Sequence, residues 1–285
     1  MAFPIRQLQF SEFPSLLKEI PDAPKRLFVR GELPSSELVM LCVVGSRATT
    51  PYGRRMCQSL ISGLARSPVA IISGMALGID TEAHKTALDV GLPTVAVLPS
   101  SCDDKSLYPS SNKALAQRIL ARGGALLSEN VAPFKAMMHS FSQRNRIMSG
   151  ISRATLIIEA GEKSGTLITA RLALDYNREV LCVPHELGRE SGAGANRLIR
   201  EGATLVRNSA DILEALGLAH EPLQTTLPTD LSESEAKILE VLTESLVKDE
   251  IIERSELDAQ EISIALTSLL IRGLINERLG KIERV

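Results

Sequence analysis

Val39-Met40-Leu41-Cys42-Val43-Val44-Gly45-Ser46-Arg47 is an unbroken apolar run that gives way to a small, cationic turn. Other parts of the chain repeat the pattern. Val69-Ala70-Ile71-Ile72 leads into Ser73-Gly74-Met75-Ala76-Leu77-Gly78-Ile79-Asp80. Runs at 94–98, 125–127, 154–158 and 179–183 end in Pro99-Ser100-Ser101, Ser128-Glu129, Glu159-Ala160-Gly161-Glu162-Lys163-Ser164-Gly165-Thr166 and Pro184-His185, and a weaker run lies at 204–206. Strands that are apolar at nearly every position are buried on both faces, as in a parallel sheet covered by helices. Helical patterns fill the intervals at 52–66, 81–90, 112–121 and 167–176; in the first, Met56, Leu60, Ile61 and Leu64 share one side. The alternation predicts an α/β fold with a doubly wound parallel sheet over 39–216.

The remaining composition narrows the class. At 285 residues, 44% hydrophobic and 23% charged, the chain can build a core, which excludes a disordered protein. No apolar stretch approaches the ~20 residues of a membrane span. Met1-Ala2-Phe3-Pro4 lacks the cationic start of a secretory signal, so a cytoplasmic location is expected. Cys42, Cys57, Cys102 and Cys182 have no metal-binding spacing and read as buried free thiols, so no metal is expected.

Residues 1–38 break the alternation and are expected to form a lead-in packed on the sheet domain, with a short helix ended by Pro21 and Pro24. A second break at 217–230, with Pro222 and Pro228, reads as a linker. Beyond it, Ser232-Glu233-Ser234-Glu235 is a capping box that opens a helix to about Thr243. A short helix is predicted at 248–254. Another runs over 259–272, capped at Asp258 and stopped by Gly273, with Ile262, Leu266, Leu269 and Leu270 as its stripe. A hairpin around Gly280 completes a winged-helix pattern over 231–285. From Asp230 onward acidic residues outnumber basic ones by six, whereas the rest of the chain carries an excess of four basic residues. The candidate recognition helix has Glu261 near its start and Arg272 only at its far end, which suits a protein contact or a solvated cap better than a major groove.

The polar turns all follow strands, so in an open parallel sheet they converge on one edge, where ligands bind at the reversal of strand order. Glycines let backbone amides approach a ligand, and helix N-termini behind them favour anions. Arg47 adds a guanidinium that can grip a phosphate or form a surface ion pair. Asp80 and His84, four apart on a helix, could hydrogen-bond; a strut locking the glycine turn suits them better than an acid–base pair, since no nucleophile with a fixed partner is apparent. Phe141-Ser142-Gln143-Arg144-Asn145-Arg146-Ile147 combines a face for base stacking with two cations, the requirement of sequence-tolerant single-strand binding. The arginines could equally brace acids such as Glu129 and Glu159.

The set Gly45-Ser46-Arg47, Ser73-Gly74, Ala76, Gly78-Ile79-Asp80, Ala83-His84, Tyr108-Pro109, Ser128-Glu129, Arg144-Asn145-Arg146, Glu159-Ala160 and Ser164-Gly165-Thr166-Leu167-Ile168-Thr169-Ala170 resembles the DNA-processing protein A family over about residues 13–216. The lead-in motifs Phe13-Pro14, Leu16-Leu17, Leu27-Phe28 and Gly31 add to it. The resemblance implies an extended Rossmann-like fold that binds single-stranded DNA, forms a homodimer, protects incoming strands and loads RecA recombinase in natural transformation, without a cofactor. It places phosphate contacts at Gly45, Ser46, Arg47, Gly74, Lys135, Arg144, Asn145, Arg146, Ser164, Gly165, Thr166 and Thr169, with Phe141 as the stacking face. The chain departs from the family at Met138, where many members carry Lys, at His185 in place of Gly, and at Pro99-Ser100-Ser101 in place of glycines. The helical domain that often precedes the sheet in that family is not expected within residues 1–38.

Two other functions use the same edge. A nucleotide sensor would bind without turnover. A nucleoside-monophosphate phosphoribohydrolase would need a carboxylate where Thr169 stands, and without that acid the ribosyl transition state loses its electrostatic partner. No dinucleotide-type glycine motif follows the first strand, which argues against an NAD enzyme. On the charge argument, truncation after Leu227 should leave single-strand affinity within a factor of about three, under ~0.7 kcal/mol, in a binding titration. A loss of tenfold or so, not recovered at low salt, would assign DNA binding to the winged helix.

Overall fold

The computed structural model describes residues 3–218, 231–242, 246–255, 257–272, 274–278 and 280–284. The chain divides into two compact units, 1–220 and 221–285. Most of the expected linker, and the expected stop at Gly273, lie outside the described residues.

In the first unit the elements run β1 (Ile5–Gln7), α1 (Ser15–Glu19), β2 (Phe28–Gly31), β3 (Val39–Val44), α2 (Pro51–Ser62), β4 (Val69–Ser73), α3 (Ile79–Asp89), β5 (Thr94–Val97), α4 (Lys113–Ala121), β6 (Ala125–Ser128), α5 (Met138–Ile151), β7 (Ala154–Ile157), α6 (Thr166–Asp175), β8 (Glu179–Cys182), α7 (Ala193–Arg200), β9 (Thr204–Leu205) and α8 (Ser209–Ala215). They build one sheet of order β1-β2-β6-β5-β4-β3-β7-β8-β9. From β6 to β9 every pairing is parallel. Successive side chains of a strand face opposite ways, and both faces are covered. Cys42 and Val44 join Ile147, Ile151 and Ala170 on one side, while Leu41 and Val43 join Leu60, Ile61 and Ile212 on the other. This double burial is why the strands read as continuous apolar runs. All four cysteines are buried and free, and burial pushes the Cys42 thiol up to about 12.

The lead-in differs from a segment merely packed on the sheet. β2 pairs antiparallel with β6, Phe28 opposite Ser128, and β1 pairs with β2, so the lead-in extends the sheet. These strands escape a hydrophobic reading because β1 lies at the edge with Arg6 and Gln7 exposed, and Arg30 of β2 turns out to Asp104 at 2.6 Å. Between them Phe13, Leu17 and Ile20 pack with Ile147, Met148 and Ile151 of α5.

The second unit comprises α9 (Glu233–Val241), β10 (Leu246–Val247), α10 (Lys248–Ser255), α11 (Ala259–Ile271), β11 (Ile275–Arg278) and β12 (Lys281–Arg284). Its small sheet has the order β10-β12-β11, so a two-residue strand joins the expected hairpin. Ile238, Leu239, Ile251, Ile262, Leu266, Leu269 and Ile282 form its core. The capping box forms as the sequence predicts: Ser232 Oγ accepts from the Glu235 amide, and Glu235 accepts from the Ser232 amide at 2.7 Å. Glu235 also receives the Ser268 hydroxyl at 2.6 Å and lies 3.3 Å from the Arg272 guanidinium, which ties α9 to α11.

The Ser268 hydroxyl, then the Ser232 amide and Arg272, hold the Glu235 carboxyl below its ordinary value of 4.5. A lowered folded value means that the contribution to stability is complete above the ordinary value and is lost as the pH falls through the folded one. Thermal melts should therefore show an acid-dependent loss below about pH 4.5 that Glu235→Gln makes shallower. At pH 7 the substitution should cost about 1.5–3 kcal/mol, the range for hydrogen bonds to a charged group. Identical pH profiles for the two proteins would refute this role.

Candidate functional site

Strand order reverses between β3 and β7, and the turns beyond these strands flank a cleft of about 620 Å³. One wall is Gly45, Ser46, Arg47 and Ala48; the opposite wall is Ser164, Gly165, Thr166, Ile168 and Thr169 at the start of α6. Met138, Phe141, Ser142, Arg144, Asn145 and Met148 of α5 close it. The β3 turn is held from behind. Gly78, at φ +82°, lies so close to the Ser46 and Arg47 carbonyls that a side chain could not fit there, and the Ile79 amide donates to Ser46 O at 3.1 Å.

Arg47 is exposed, with its guanidinium carbon 5.1 Å from the centre of the Phe141 ring. Tyr108, 46% exposed, meets the same ring edge-on at 5.6 Å. A cation over an aromatic face keeps a long side chain in place without using its N–H donors. Behind this pair lies the buried Arg144, donating to Val97 O at 2.9 Å and resting on Gly74. Asp80, also buried, accepts from the amides of Gly74 (3.2 Å) and Ala76 (3.3 Å). Burial raises the Asp80 carboxyl and lowers the Arg144 guanidinium, and each charge opposes the shift of the other.

Ten of the residues nominated for phosphate contact or base stacking line the cleft: Gly45, Ser46, Arg47, Phe141, Arg144, Asn145, Ser164, Gly165, Thr166 and Thr169. Gly74 borders a recess of about 80 Å³ on the far side of the Arg47–Phe141 pair. Lys135 sits exposed on the loop before α5 and is not part of the cleft lining. Arg146 also lies elsewhere. Two positions apart on a helix means about 200° of rotation, so Arg146 points away from Arg144 and is bound by Glu129 at 2.5 Å and by the Asp22 carbonyl. Among the described residues Glu159 pairs with no arginine; its Oε2 accepts from Thr49 Oγ1 and the Thr50 amide at the start of α2.

The Asp80–His84 strut needs correction. Asp80 does lock the glycine turn, but His84 bonds Thr94 Oγ1 of β5 at 2.7 Å instead. Asp80 stands at the first turn of α3, where its carboxylate folds back onto loop amides, while His84 faces the sheet. Burial lowers the His84 imidazole to about 3, so it is neutral at physiological pH. Sequence reasoning gave no role to Tyr108, Met138 or Ile168, and it did not recognise α5. The signal for α5 was present in Met138, Phe141, Asn145 and Met148, which recur at helical spacing.

With this geometry in place, comparison with known proteins is informative. The model of the family described as DNA recombination-mediator protein A matches residues 6–217. The chain belongs to that family. A second model, the DprA winged helix domain, matches residues 220–281. Protein Smf of Escherichia coli (strain K12) is 42% identical over 207 residues, which make up 72% of this chain and 55% of that protein. The chain thus spans about half the length of that relative. Protein Smf of Synechocystis is 32% identical over 94% of this chain and 77% of its own length. Among solved structures, DNA processing protein A of Streptococcus pneumoniae has a TM-score of 0.69 and 35% identity over 74% of each chain. That of Helicobacter pylori, described for its single-stranded DNA binding mode, has a TM-score of 0.66 and 30% identity over 76% of this chain and 98% of its own.

Gly74 has a physical reason here, because a methyl group would overlap Arg144 Nη1. Gly74→Ala should displace the guanidinium from Val97 O. A buried charge that loses its partner costs about 3–5 kcal/mol, so denaturant titration should show a loss approaching that size. A change below about 0.5 kcal/mol, typical of a neutral surface substitution, would contradict the packing.

Proposed function

We propose that the chain binds single-stranded DNA of any sequence in the cleft between the β3 and β7 turns. The observation that carries this reading is the Arg47–Phe141 pair, with a cation and an aromatic face side by side at the cleft mouth. Only an unpaired base can stack on a ring, and every base has a face to offer. The Arg47 donors and the N-terminus of α6 suit the phosphates on either side of such a base. The described single-strand binding of the Helicobacter pylori relative supports the same reading. By the same family argument, the chain acts without turnover as a cytoplasmic homodimer that protects incoming strands and hands them to RecA recombinase during natural transformation.

A second reading is a nucleotide sensor, favoured by a cleft whose volume of about 620 Å³ lies within the range of small-molecule pockets. Isothermal titration with oligonucleotides and with free mononucleotides distinguishes the two. Single-stranded oligonucleotides should bind more tightly than duplex or mononucleotide, and less tightly as salt rises, because bound cations release counterions. Arg47→Ala should weaken all sequences alike and flatten the log–log salt slope by roughly 0.7, one single-strand phosphate contact. An unchanged slope would remove Arg47 from the site, and mononucleotides binding as tightly as oligonucleotides would favour the sensor.

A further inference from the structure

Beyond α5 from the cleft lies a second concavity, of about 490 Å³, lined by Ala23, Lys25, Arg26, Glu129 and Arg146. It belongs to the same edge of the sheet. Because β2 runs antiparallel to β6 with Phe28 opposite Ser128, the residues just before β2 stand beside those just after β6. The carboxylates nearby are already engaged. Glu129 is paired with Arg146, and Asp22 accepts the Tyr176 hydroxyl at 2.6 Å. Lys25 and Arg26 are exposed, and among the described residues neither has a side-chain hydrogen bond or ion pair. The recess therefore presents two uncommitted cations around an arginine held in place, next to a helix whose other face closes the cleft.

We propose that Lys25 and Arg26, with Arg146 as the fixed member, form a second phosphate subsite that takes the backbone of a single strand leaving the cleft across α5. The inference rests on the single-strand reading of the cleft. Phe141 and Arg146 are about 7.5 Å apart along the axis of a helix about 10–12 Å across, so a strand stacked at Phe141 must pass round the helix and reaches the recess beyond the span of a 5-mer centred on the ring. The recess has no aromatic lining, so it takes phosphate rather than base and carries no sequence preference.

The test is binding of oligothymidylates of about 5 and about 20 nucleotides, near the lower limit of and above usual single-strand site sizes, to the full chain and to Lys25→Ala/Arg26→Ala. Both side chains are exposed, so the double variant should keep its melting temperature. The 20-mer should lose about fivefold or more in affinity, and its salt slope should flatten by roughly 1.4, two phosphate contacts. The 5-mer should bind both proteins alike. Unchanged 20-mer affinity and slope, with Arg47→Ala still impaired, would overturn the subsite and leave the cleft reading intact. Equal losses for both lengths would also overturn it, by making the recess part of the cleft. Failure of the unsubstituted chain to bind either length would sink the single-strand reading and the subsite with it. Inorganic phosphate relieving the double variant's defect no more than it affects the unsubstituted chain is the result expected of a strand-borne phosphate; binding of free phosphate that needs Lys25 and Arg26 while the 20-mer does not would overturn the proposal.

Discussion

The ligand edge depends on one buried cation. Arg144 reaches from α5 to the end of β5, rests on the glycine just after β4, and shares its surroundings with Asp80 at the start of α3. Neither charge is at home in the interior alone, since burial disfavours the ionised form of both. Each is kept by the other and by the amides and carbonyl that hydrogen-bond to them. The glycine turn, the orientation of α5 and hence the position of Phe141 under Arg47 follow from this arrangement. The side chain that presents itself in sequence as a ligand group is mainly a brace, which leaves Arg47 as the exposed guanidinium at the cleft mouth.

The sheet was legible because its physics is redundant. Each central strand packs against helices on both faces, so every residue reports the same burial, and the turns beyond must be small and polar. The second unit was legible for a different reason: Ser232 with Glu235 and Asp258 with Gln260 and Glu261 are local hydrogen-bonding devices within a few residues of one another. What escaped depends on partners distant in sequence. β2 carries Arg30, whose partner Asp104 and neighbouring strand β6 lie far along the chain. α5 carries Arg144 and Asn145 among its apolar residues, so its period is masked by side chains that the site, and not the core, requires. The Asp80–His84 spacing was correct for a helix, but spacing cannot say that one side chain folds back to a loop while the other faces a strand.

The division of charge between the units is similarly physical. In the second unit Glu235 is the one acidic residue that the described core draws in, to Ser268 and Arg272, whereas Asp249, Glu250, Glu253 and Glu261 lie on exposed helix surface. An acidic surface of that kind repels a phosphate backbone and favours a basic or neutral partner. In the first unit Arg47, Lys25 and Arg26 stand at the strand-end edge on segments separated in sequence and joined by the sheet.

The pairing of Phe28 with Ser128 also bears on how the chain comes together. A ribosome delivers the lead-in first, yet β2, paired with β1 alone, has no place in the large sheet until β6 has been made, about a hundred residues later. Closing so long a loop carries an entropic cost that local contacts do not. The contacts that hold residues 3–31 reach partners made much later in the chain, β6 beside β2 and the Tyr176 and Arg146 side chains at Asp22. The rim that carries Lys25 and Arg26 is therefore complete only once β6 stands beside β2.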